Sequence, residues 1–182
     1  MSAAPALNRR TIVLVGLMGS GKSSIGRRLA AALDMPFVDA DTEVETAAGQ
    51  TIPEIFAELG EAAFRDGERR VIARLLDDPP HVLATGGGAF VNDETRALIL
   101  NKAVSVWLKA DLDVLVRRVA RKNNRPLLAG RDAAQVLQEL AQVRYPFYAQ
   151  ADVTVETGDT QHKAAVDAVI QALTRHLSEN QA

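Results

Sequence analysis

Short apolar runs alternate with longer segments of helical period along this 182-residue chain. Apolar strands separated by amphipathic helices are typical of a parallel β-sheet that carries helices on both faces. We therefore predict a three-layer α/β fold built on a five-stranded parallel sheet. Ligands of such sheets bind outside the carboxyl ends of the strands, so functional residues should follow the strands. The predicted strands cover residues 11–15, 37–39, 82–84, 104–108 and 153–155.

Helix signals occupy the segments between the strands. Thr51 and Glu54 have capping-box spacing, with Pro53 between them, so a helix should begin there. Pro146 falls inside another helical pattern and should kink or end that helix. Besides the helix that begins at Thr51, the predicted helices cover residues 24–33, 61–76, 111–121, 132–148 and about 160–177.

The first predicted strand leads directly into the pattern G-x-x-x-x-G-K-[ST], which residues 16–23 fit. Glycines in this loop let successive N–H groups and the positive end of the next helix face one anion. Lys22 should reach the β- and γ-phosphates of a nucleoside triphosphate, and the Ser23 hydroxyl should enter a Mg²⁺ shell. The alternative is a simple glycine-rich turn, which has no use for Lys22 followed by Ser23. The pattern predicts a bound nucleotide but leaves the reaction open.

Composition narrows the classes of function. With 21 basic and 23 acidic residues, the chain lacks an overall positive field for nucleic acid or an anionic membrane. It has no cysteine, which excludes disulfides and thiolate metal sites and fits a cytoplasmic protein. No apolar run is long enough to span a membrane. We expect a flexible tail at residues 1–10, a single domain at 11–182, and a monomer.

Two further polar motifs follow predicted strands. Asp39 and Asp41 come at the end of the second strand, where a carboxylate can order Mg²⁺-bound water or accept hydrogen bonds from a substrate hydroxyl. The alternative is that Asp41 or Thr42 caps a helix. Gly86–Gly88 follows the third strand, and three bare glycines favour a ligand that approaches the backbone closely over an ordinary turn.

Two arginines are notable for their context. Arg125 lies in a basic, non-periodic segment at about 120–131 that has the composition of a mobile lid. The alternative for the basic residues near it is compensation of a helix dipole. Arg144 lies just before Pro146, where a kinked helix can direct a side chain into a cleft. Loop or surface roles are expected for His81, His162 and His176, and a core position for Trp107.

Together these motifs resemble the shikimate kinase family, which are small P-loop kinases of the nucleoside monophosphate kinase type. The resemblance covers about residues 11–177, and six motifs in the same order make it specific. It implies a P-loop kinase fold with a mobile lid and a substrate-binding helical segment. It also implies that ATP and Mg²⁺ are used to phosphorylate the 3-hydroxyl of shikimate. The motifs are Gly16–Ser23, Asp39-x-Asp41, Gly60-Glu61-x-x-Phe64-Arg65-x-x-Glu68, Gly86–Gly88, Arg125-Pro126-Leu127-Leu128 and Arg144-x-x-x-Tyr148.

The resemblance implies roles for individual residues. Arg65 and Arg144 would bind the substrate carboxylate, as guanidinium forks do, and Asp41 would hold the ring hydroxyls. The implied catalytic residues are Lys22, Asp41 and Arg125, and the implied metal residues are Ser23 and Asp39. The implied substrate-binding residues are Asp41, Arg65, Gly86, Gly87, Gly88 and Arg144. The implied nucleotide-binding residues are Gly19, Ser20, Gly21, Lys22, Ser23, Ser24, Arg118, Arg125 and Gln161.

Three other functions compete with this interpretation. A gluconate kinase would also bind a hydroxylated acid, although the glycine triplet and the Arg125-Pro126 pair favour shikimate. A GTP-binding switch needs an Asn-Lys-x-Asp motif, and the one Asn-Lys here continues Ala103-Val104. A silent homologue should have lost part of the lysine, aspartate and arginine set, which this chain retains. The chain departs from the family pattern at Ser24, where threonine is frequent, and at 157–161, which lacks a proline that some members place against adenine.

Overall fold

A computed structural model of the chain describes residues 7–121, 131–159 and 161–180. Its five strands form one sheet in the order β2-β3-β1-β4-β5, and every neighbouring pair is parallel. The predicted five-stranded parallel sheet is therefore confirmed, with β4 and β5 each extending two residues beyond the predicted ends. The strands are β1 Ile12–Val15, β2 Phe37–Asp39, β3 Val82–Ala84, β4 Val104–Ala110 and β5 Val153–Thr157.

Seven α-helices and one short 3₁₀-helix connect the strands in the described part of the chain. They are α1 Lys22–Leu33, α2 Ala40–Ala48, α3 Ile52–Leu75, the 3₁₀-helix Ala89–Val91, α4 Asp93–Lys102, α5 Leu112–Val119, α6 Ala133–Tyr148 and α7 His162–Asn180. The sequence analysis did not identify α2 or α4. Each begins at a side-chain cap: Asp39 caps α2, and Asn92 caps α4 by accepting a 3.0 Å hydrogen bond from the Thr95 amide.

Two helices contain the interruptions that their sequences suggested. The capping box forms at the start of α3, where the Thr51 and Glu54 side chains accept hydrogen bonds from each other's amides. Gly60, with φ of 86°, breaks α3 into the two helical segments predicted on either side of it. In α6 the helix continues through Pro146 but ends two residues later at Tyr148. The end of α6 therefore lies close to the proline, as expected.

Alternate residues of the central strand enter two separate cores, one on each face of the sheet. Val13 and Val15 belong to the core covered by α3 and α6, whereas Ile12 and Leu14 belong to the core covered by α1 and α7. Trp107 lies in the first core with only 5% of its surface exposed, which confirms its predicted position. Because helices bury both faces, ligands can reach the sheet only at its ends.

Residues just before the first strand pack against the domain. Leu7 is buried in the core beneath α1 and α7, and Arg10 donates hydrogen bonds to the carbonyl oxygens of Asn101 and Ala103. Part of the segment predicted as a flexible tail is thus packed against the domain. His81 lies in the loop before β3, as expected, but it is buried rather than on the surface. No helix in the described ranges combines the length and apolar character needed to cross a bilayer.

Candidate active site

The loop between β1 and α1 has the backbone of an anion cradle. Gly19 and Gly21 have φ angles of 82° and 92°, a left-handed conformation that strains any residue with a Cβ. The Lys22 ammonium folds back over the loop and donates to the carbonyl oxygens of Gly16 at 2.8 Å and Leu17 at 3.0 Å. The Lys22 ammonium, the glycine backbone and the N-terminus of α1 therefore converge at the carboxyl edge of the sheet.

Asp39 links this loop to the second strand. Its Oδ2 atom accepts a 2.9 Å hydrogen bond from the Ser23 hydroxyl, while Oδ1 accepts from the amides of Asp41 and Thr42. Asp39 is therefore the N-cap of α2, and the alternative that Asp41 or Thr42 caps this helix is wrong. Because Asp39 takes the capping role, the Asp41 carboxylate is not needed for it and lines the adjoining clefts instead.

Two adjoining clefts open at the carboxyl ends of β1, β2 and β3. The larger, of about 450 Å³, runs along the phosphate loop, and the smaller, of about 80 Å³, lies between α3 and α6. Both are lined by Asp41, Gly86 and Gly87, so these residues form a common wall. A ligand in the small pocket would therefore lie directly beside a ligand in the large cleft, which is the arrangement that transfer of a group between them requires.

The glycine triplet brings three polar side chains from three helices together. A Cβ atom on Gly86 would lie 2.8 Å from Oδ1 of Asp41, and one on Gly87 would lie 2.7 Å from Nη1 of Arg144. On Gly88 it would lie 2.5 Å from Cζ of Arg65. Each distance is shorter than real Cβ contacts allow, so side chains at these positions would displace the charged groups. The triplet is thus explained by close approach of functional side chains as well as by any ligand.

Glu68 is a buried carboxylate beside this triplet. Its Oε1 atom accepts a 3.0 Å hydrogen bond from Arg65, and only 2% of the residue is exposed. The Oε2 atom has no hydrogen-bond partner among the described residues. Burial raises the pKa of Glu68 above its ordinary value of 4.5, although the neighbouring Arg65 opposes this effect and Asp41 adds to it. Burial therefore outweighs the ion pair in setting the charge of this group.

Arg144 is a buried cation at the opposite side of the same pocket. It is 6% exposed, and no carboxylate of the described residues lies within 4.0 Å of its guanidinium nitrogens. The adjacent Tyr148 hydroxyl donates to the carbonyl oxygen of Gly87. Burial raises the pKa of Tyr148 to about 12 despite the opposing charge of Arg144, so the phenol is neutral at physiological pH. The pocket therefore holds two guanidinium groups, the buried carboxyl group of Glu68 and the half-buried carboxyl group of Asp41.

Comparison with known proteins accounts for this combination of loop and pocket. The shikimate kinase family model matches residues 18–174. The chain belongs to the shikimate kinase family. A shikimate kinase of Caulobacter vibrioides (strain NA1000 / CB15N) is 72% identical over 167 residues, which are 92% of this chain and 84% of the relative. The structure of shikimate kinase from Acinetobacter baumannii in complex with shikimate superimposes with a TM-score of 0.89, at 35% identity, over 93% of this chain and 96% of the other.

The family resemblance and the P-loop kinase fold predicted from the sequence are thus confirmed. A gluconokinase from Sinorhizobium meliloti 1021 has the same fold, with a TM-score of 0.64 over 96% of each chain. Its identity of 20% carries no information about the substrate of this chain. The gluconate alternative therefore gains no support beyond the shared architecture.

Most residues expected to form the site in this shikimate kinase family member do converge. Those that line the large cleft are Gly19, Gly21, Lys22, Ser23, Ser24, Asp39, Asp41, Gly86, Gly87 and Arg118. Those that line the small pocket are Asp41, Arg65, Gly86, Gly87, Gly88 and Arg144. Ser20 is 1% exposed and lines neither, while Gln161 is replaced at the wall of the large cleft by its neighbour His162. Arg125 and most of the predicted lid at about 120–131 lie outside the described residues.

Three neighbours of these residues were not assigned a role from the sequence. Glu68 and Tyr148 belong to motifs that carry the family resemblance, but only the folded chain shows that both side chains are buried beside the triplet. His162, expected in a loop or on the surface, is the first residue of α7 and lines the large cleft. The family resemblance pointed to its neighbour Gln161 instead, and no periodic pattern in the sequence distinguishes the two positions.

The raised pKa of Glu68 predicts a stability effect with a definite sign. The native state binds this proton more tightly than the unfolded chain, so ionisation of Glu68 lowers native stability as the pH rises from 4.5 through the raised pKa. The unfolding free energy of the wild type minus that of Glu68→Gln should therefore fall across this window and level off above it. Each unit of pKa shift corresponds to about 1.4 kcal/mol.

Urea unfolding of both proteins, at pH values from about 4 to 8, measures this difference. Glu61→Gln is the matched control, because Glu61 pairs with the same Arg65 at 3.6 Å but its side chain is 57% exposed. The control difference should not fall with pH. A difference for Glu68→Gln that rises with pH would show that the ion pair with Arg65, rather than burial, dominates the ionisation of Glu68.

Proposed function

We propose that this chain transfers the γ-phosphoryl group of ATP to the 3-hydroxyl of shikimate, giving shikimate 3-phosphate and ADP. The observation that carries the proposal is the position of Arg65 and Arg144, whose guanidinium groups meet adjacent glycines of one triplet. A small carboxylate can contact both groups at once only because they lie on the same side of the molecule. The pocket that they form adjoins the phosphate loop through the wall that includes Asp41.

Charge and shape in the small pocket suit a hydroxylated acid. Arg65 and Arg144 face the carboxyl groups of Glu68 and Asp41 in this pocket, and burial favours the neutral form of Glu68, so the local balance favours an anion when Glu68 is protonated. A guanidinium presents parallel N–H donors that match a carboxylate, which a lysine ammonium cannot do. Phe56 and Phe64 supply an apolar wall for a carbon ring. These features support shikimate as the acceptor and the carboxylate as its anchor.

Asp41 lies where the acceptor hydroxyl would meet the phosphate loop. In the reaction, the 3-hydroxyl oxygen bonds to the γ-phosphorus, and the bond from that phosphorus to the β,γ-bridging oxygen breaks. The hydroxyl proton leaves to Asp41, which holds the hydroxyl and orients its lone pair. Lys22 offsets the negative charge at the transferring group. Arg125 is assigned the same role by the family resemblance, and this assignment stays a prediction.

Ser23 and Asp39 are suited to Mg²⁺. Their oxygen atoms are 2.9 Å apart beside the phosphate loop, and both are the hard ligands or water acceptors that this ion prefers. Mg²⁺ typically takes few protein ligands and completes its shell with water and phosphate oxygens, so a single hydroxyl and carboxylate suffice. Bound there, the ion would neutralise charge on the nucleotide phosphates. Asp39 would keep this arrangement aligned with α2, whose N-terminus it caps.

The remaining nucleotide contacts follow the large cleft away from the phosphate loop. Arg118 donates to the carbonyl oxygens of Gly19 at 3.0 Å and Gly158 at 3.1 Å, which holds its planar guanidinium at the cleft wall. A guanidinium fixed in this way can stack on adenine. We assign Ser20, Ser24 and Gln161 to the nucleotide side from the family resemblance.

The protein should act alone in the cytoplasm. Its nearly balanced charge offers no general attraction for nucleic acid or an anionic membrane. In the described part of the chain, the exposed large hydrophobic residues are Leu59 and Val143, which is less than a stable dimer interface requires. We therefore propose a monomer whose partners are shikimate and ATP.

A coupled assay for ADP tests the function. Purified protein with ATP and Mg²⁺ should release ADP at least about tenfold faster with shikimate than without it, whereas gluconate should have no effect. Stimulation by gluconate and not by shikimate would replace the proposal with the gluconate alternative. Stimulation by neither acid would remove the kinase function altogether.

Replacing Arg65 tests the carboxylate anchor. Arg65→Lys keeps the charge but loses the fork, so the KM for shikimate should rise about tenfold or more while the KM for ATP changes less than about twofold. Arg69→Lys is the matched control, because Arg69 lies one turn further along α3 and pairs with Asp66 and Glu94 away from the pocket. Equal increases in both KM values for Arg65→Lys would contradict the assigned role.

Replacing Asp41 tests the proton acceptor. Asp41→Asn preserves the size of the side chain but lowers its basicity, so kcat should fall by about 100-fold or more. Glu43→Gln is the control, since Glu43 lies on the same helix α2 and pairs with Arg74 on the surface. Initial rates at saturating shikimate and ATP measure the effect. Near-normal kcat in Asp41→Asn would exclude this residue from the chemical step.

A further inference from the structure

Arg96 lies outside the small pocket and lines neither that pocket nor the large cleft. It is the fourth residue of α4, and its side chain is only 13% exposed. Four hydrogen bonds and one ring contact hold its guanidinium, which is more than a surface arginine normally makes. These contacts reach two elements that carry the pocket, so the side chain does more than stabilise its own helix.

The first element is the turn that continues the glycine triplet. Nη1 of Arg96 donates to the carbonyl oxygens of Phe90 at 3.2 Å and Val91 at 3.1 Å. These are the last carbonyls of the short 3₁₀-helix, which has no further turn to satisfy them. The amides of the same helix bond back to Gly86 and Gly88. Arg96 therefore fixes the end of the segment whose start is the triplet.

The second element is the carboxyl end of α6. Nε of Arg96 donates to Oε1 of Gln150 at 3.1 Å, and its Cζ atom lies 4.9 Å from the centre of the Phe147 ring. Arg144 lines the small pocket from the preceding turn of the same helix. The position of Arg144 thus depends on how the end of α6 is held against the triplet turn.

Among the described residues, two side chains link the triplet turn to the end of α6 through hydrogen bonds. The Tyr148 hydroxyl bonds to the carbonyl oxygen of Gly87 on the pocket side, and Arg96 joins the same two elements from behind. Leu137 and Ala141 already anchor the body of α6 in the core, and the two polar links add fixed points at its carboxyl end. Bidentate recognition of a carboxylate tolerates only small errors in position, about 0.5 Å.

We propose that Arg96 is a positioning residue for carboxylate recognition. It sets the distance and angle between the Gly87–Gly88 backbone and Arg144 without touching the acid substrate. Arginine is needed because its fork reaches carbonyl oxygens on one side and the Gln150 amide oxygen on the other, which one ammonium group cannot do. This inference rests on the proposed function, since the substrate whose affinity it controls is shikimate.

Steady-state kinetics of Arg96→Ala and Arg96→Lys test the inference. The KM for shikimate should rise about tenfold in Arg96→Ala and about fivefold in Arg96→Lys, while the KM for ATP stays within about twofold and kcat within about threefold. Lys102→Ala is the matched control, because Lys102 lies on the same helix and bonds to Asp77 at 2.6 Å, away from the pocket. It should leave all three constants unchanged.

Gln150→Ala separates positioning from general stability. It removes the bond from Arg96 to the end of α6 but leaves the carbonyl contacts in place, and it keeps the experiment decisive where Arg96→Ala does not fold. In Gln150→Ala the KM for shikimate should rise about threefold. In the double variant with Arg96→Lys, the increase in this KM should be smaller than the product of the increases in the two single variants. An unchanged KM for shikimate in Gln150→Ala, or equal losses for shikimate and ATP in the Arg96 variants, would overturn the inference. The proposed function fails separately, when the wild type shows no shikimate-dependent turnover.

Discussion

The site depends on one buried positive charge, that of Arg144. Arg144 is almost fully buried, and no carboxylate of the described residues lies in ion-pair range of it. The nearby Arg65, by contrast, forms an ion pair with the buried carboxylate of Glu68. Removing charges from water costs several kcal/mol each unless partners replace the lost hydration. Under the proposed function, the carboxylate of the substrate supplies the missing partner of Arg144 and offsets this cost, without a large or deep cavity.

Parallel pairing explains why this charge lies beside the phosphate loop. Leu14 and Asp39 both pair with Ala84, so β1, β2 and β3 end at the same level of the sheet. The segments that follow these three strands are therefore neighbours: the phosphate loop, the Asp39–Asp41 turn and the glycine triplet. Helices can then deliver one side chain each to the triplet only because it lacks Cβ atoms. The sheet register and the glycine triplet together place the small pocket directly beside the phosphate loop.

Local patterns predicted the strands and most helices because each signal lies within the element itself. Helix α4 was missed because its main signal is the Asn92 cap, without a wide apolar stripe. Contacts within the site were harder to predict. Tyr148 and Gly87 are 61 positions apart, and Arg96 and Gln150 are 54 apart, so no periodicity connects them. The motifs located most of the residues that line the two clefts, but the side chains that contact them from other elements could be found only from packing.

Several contacts serve folding and chemistry at once. Asp39 caps α2 with one oxygen and accepts a hydrogen bond from the Ser23 hydroxyl with the other, while Asp41 lines the two adjoining clefts. Glu68 differs from Asp39 because only one of its two oxygens is bonded. Oε1 accepts a hydrogen bond from Arg65, whereas Oε2 has no hydrogen-bond partner in the described chain. A buried oxygen without a partner lowers stability, which an apolar residue at this position would avoid. What Glu68 provides instead is the 3.0 Å hydrogen bond that fixes Arg65 beside the glycine triplet.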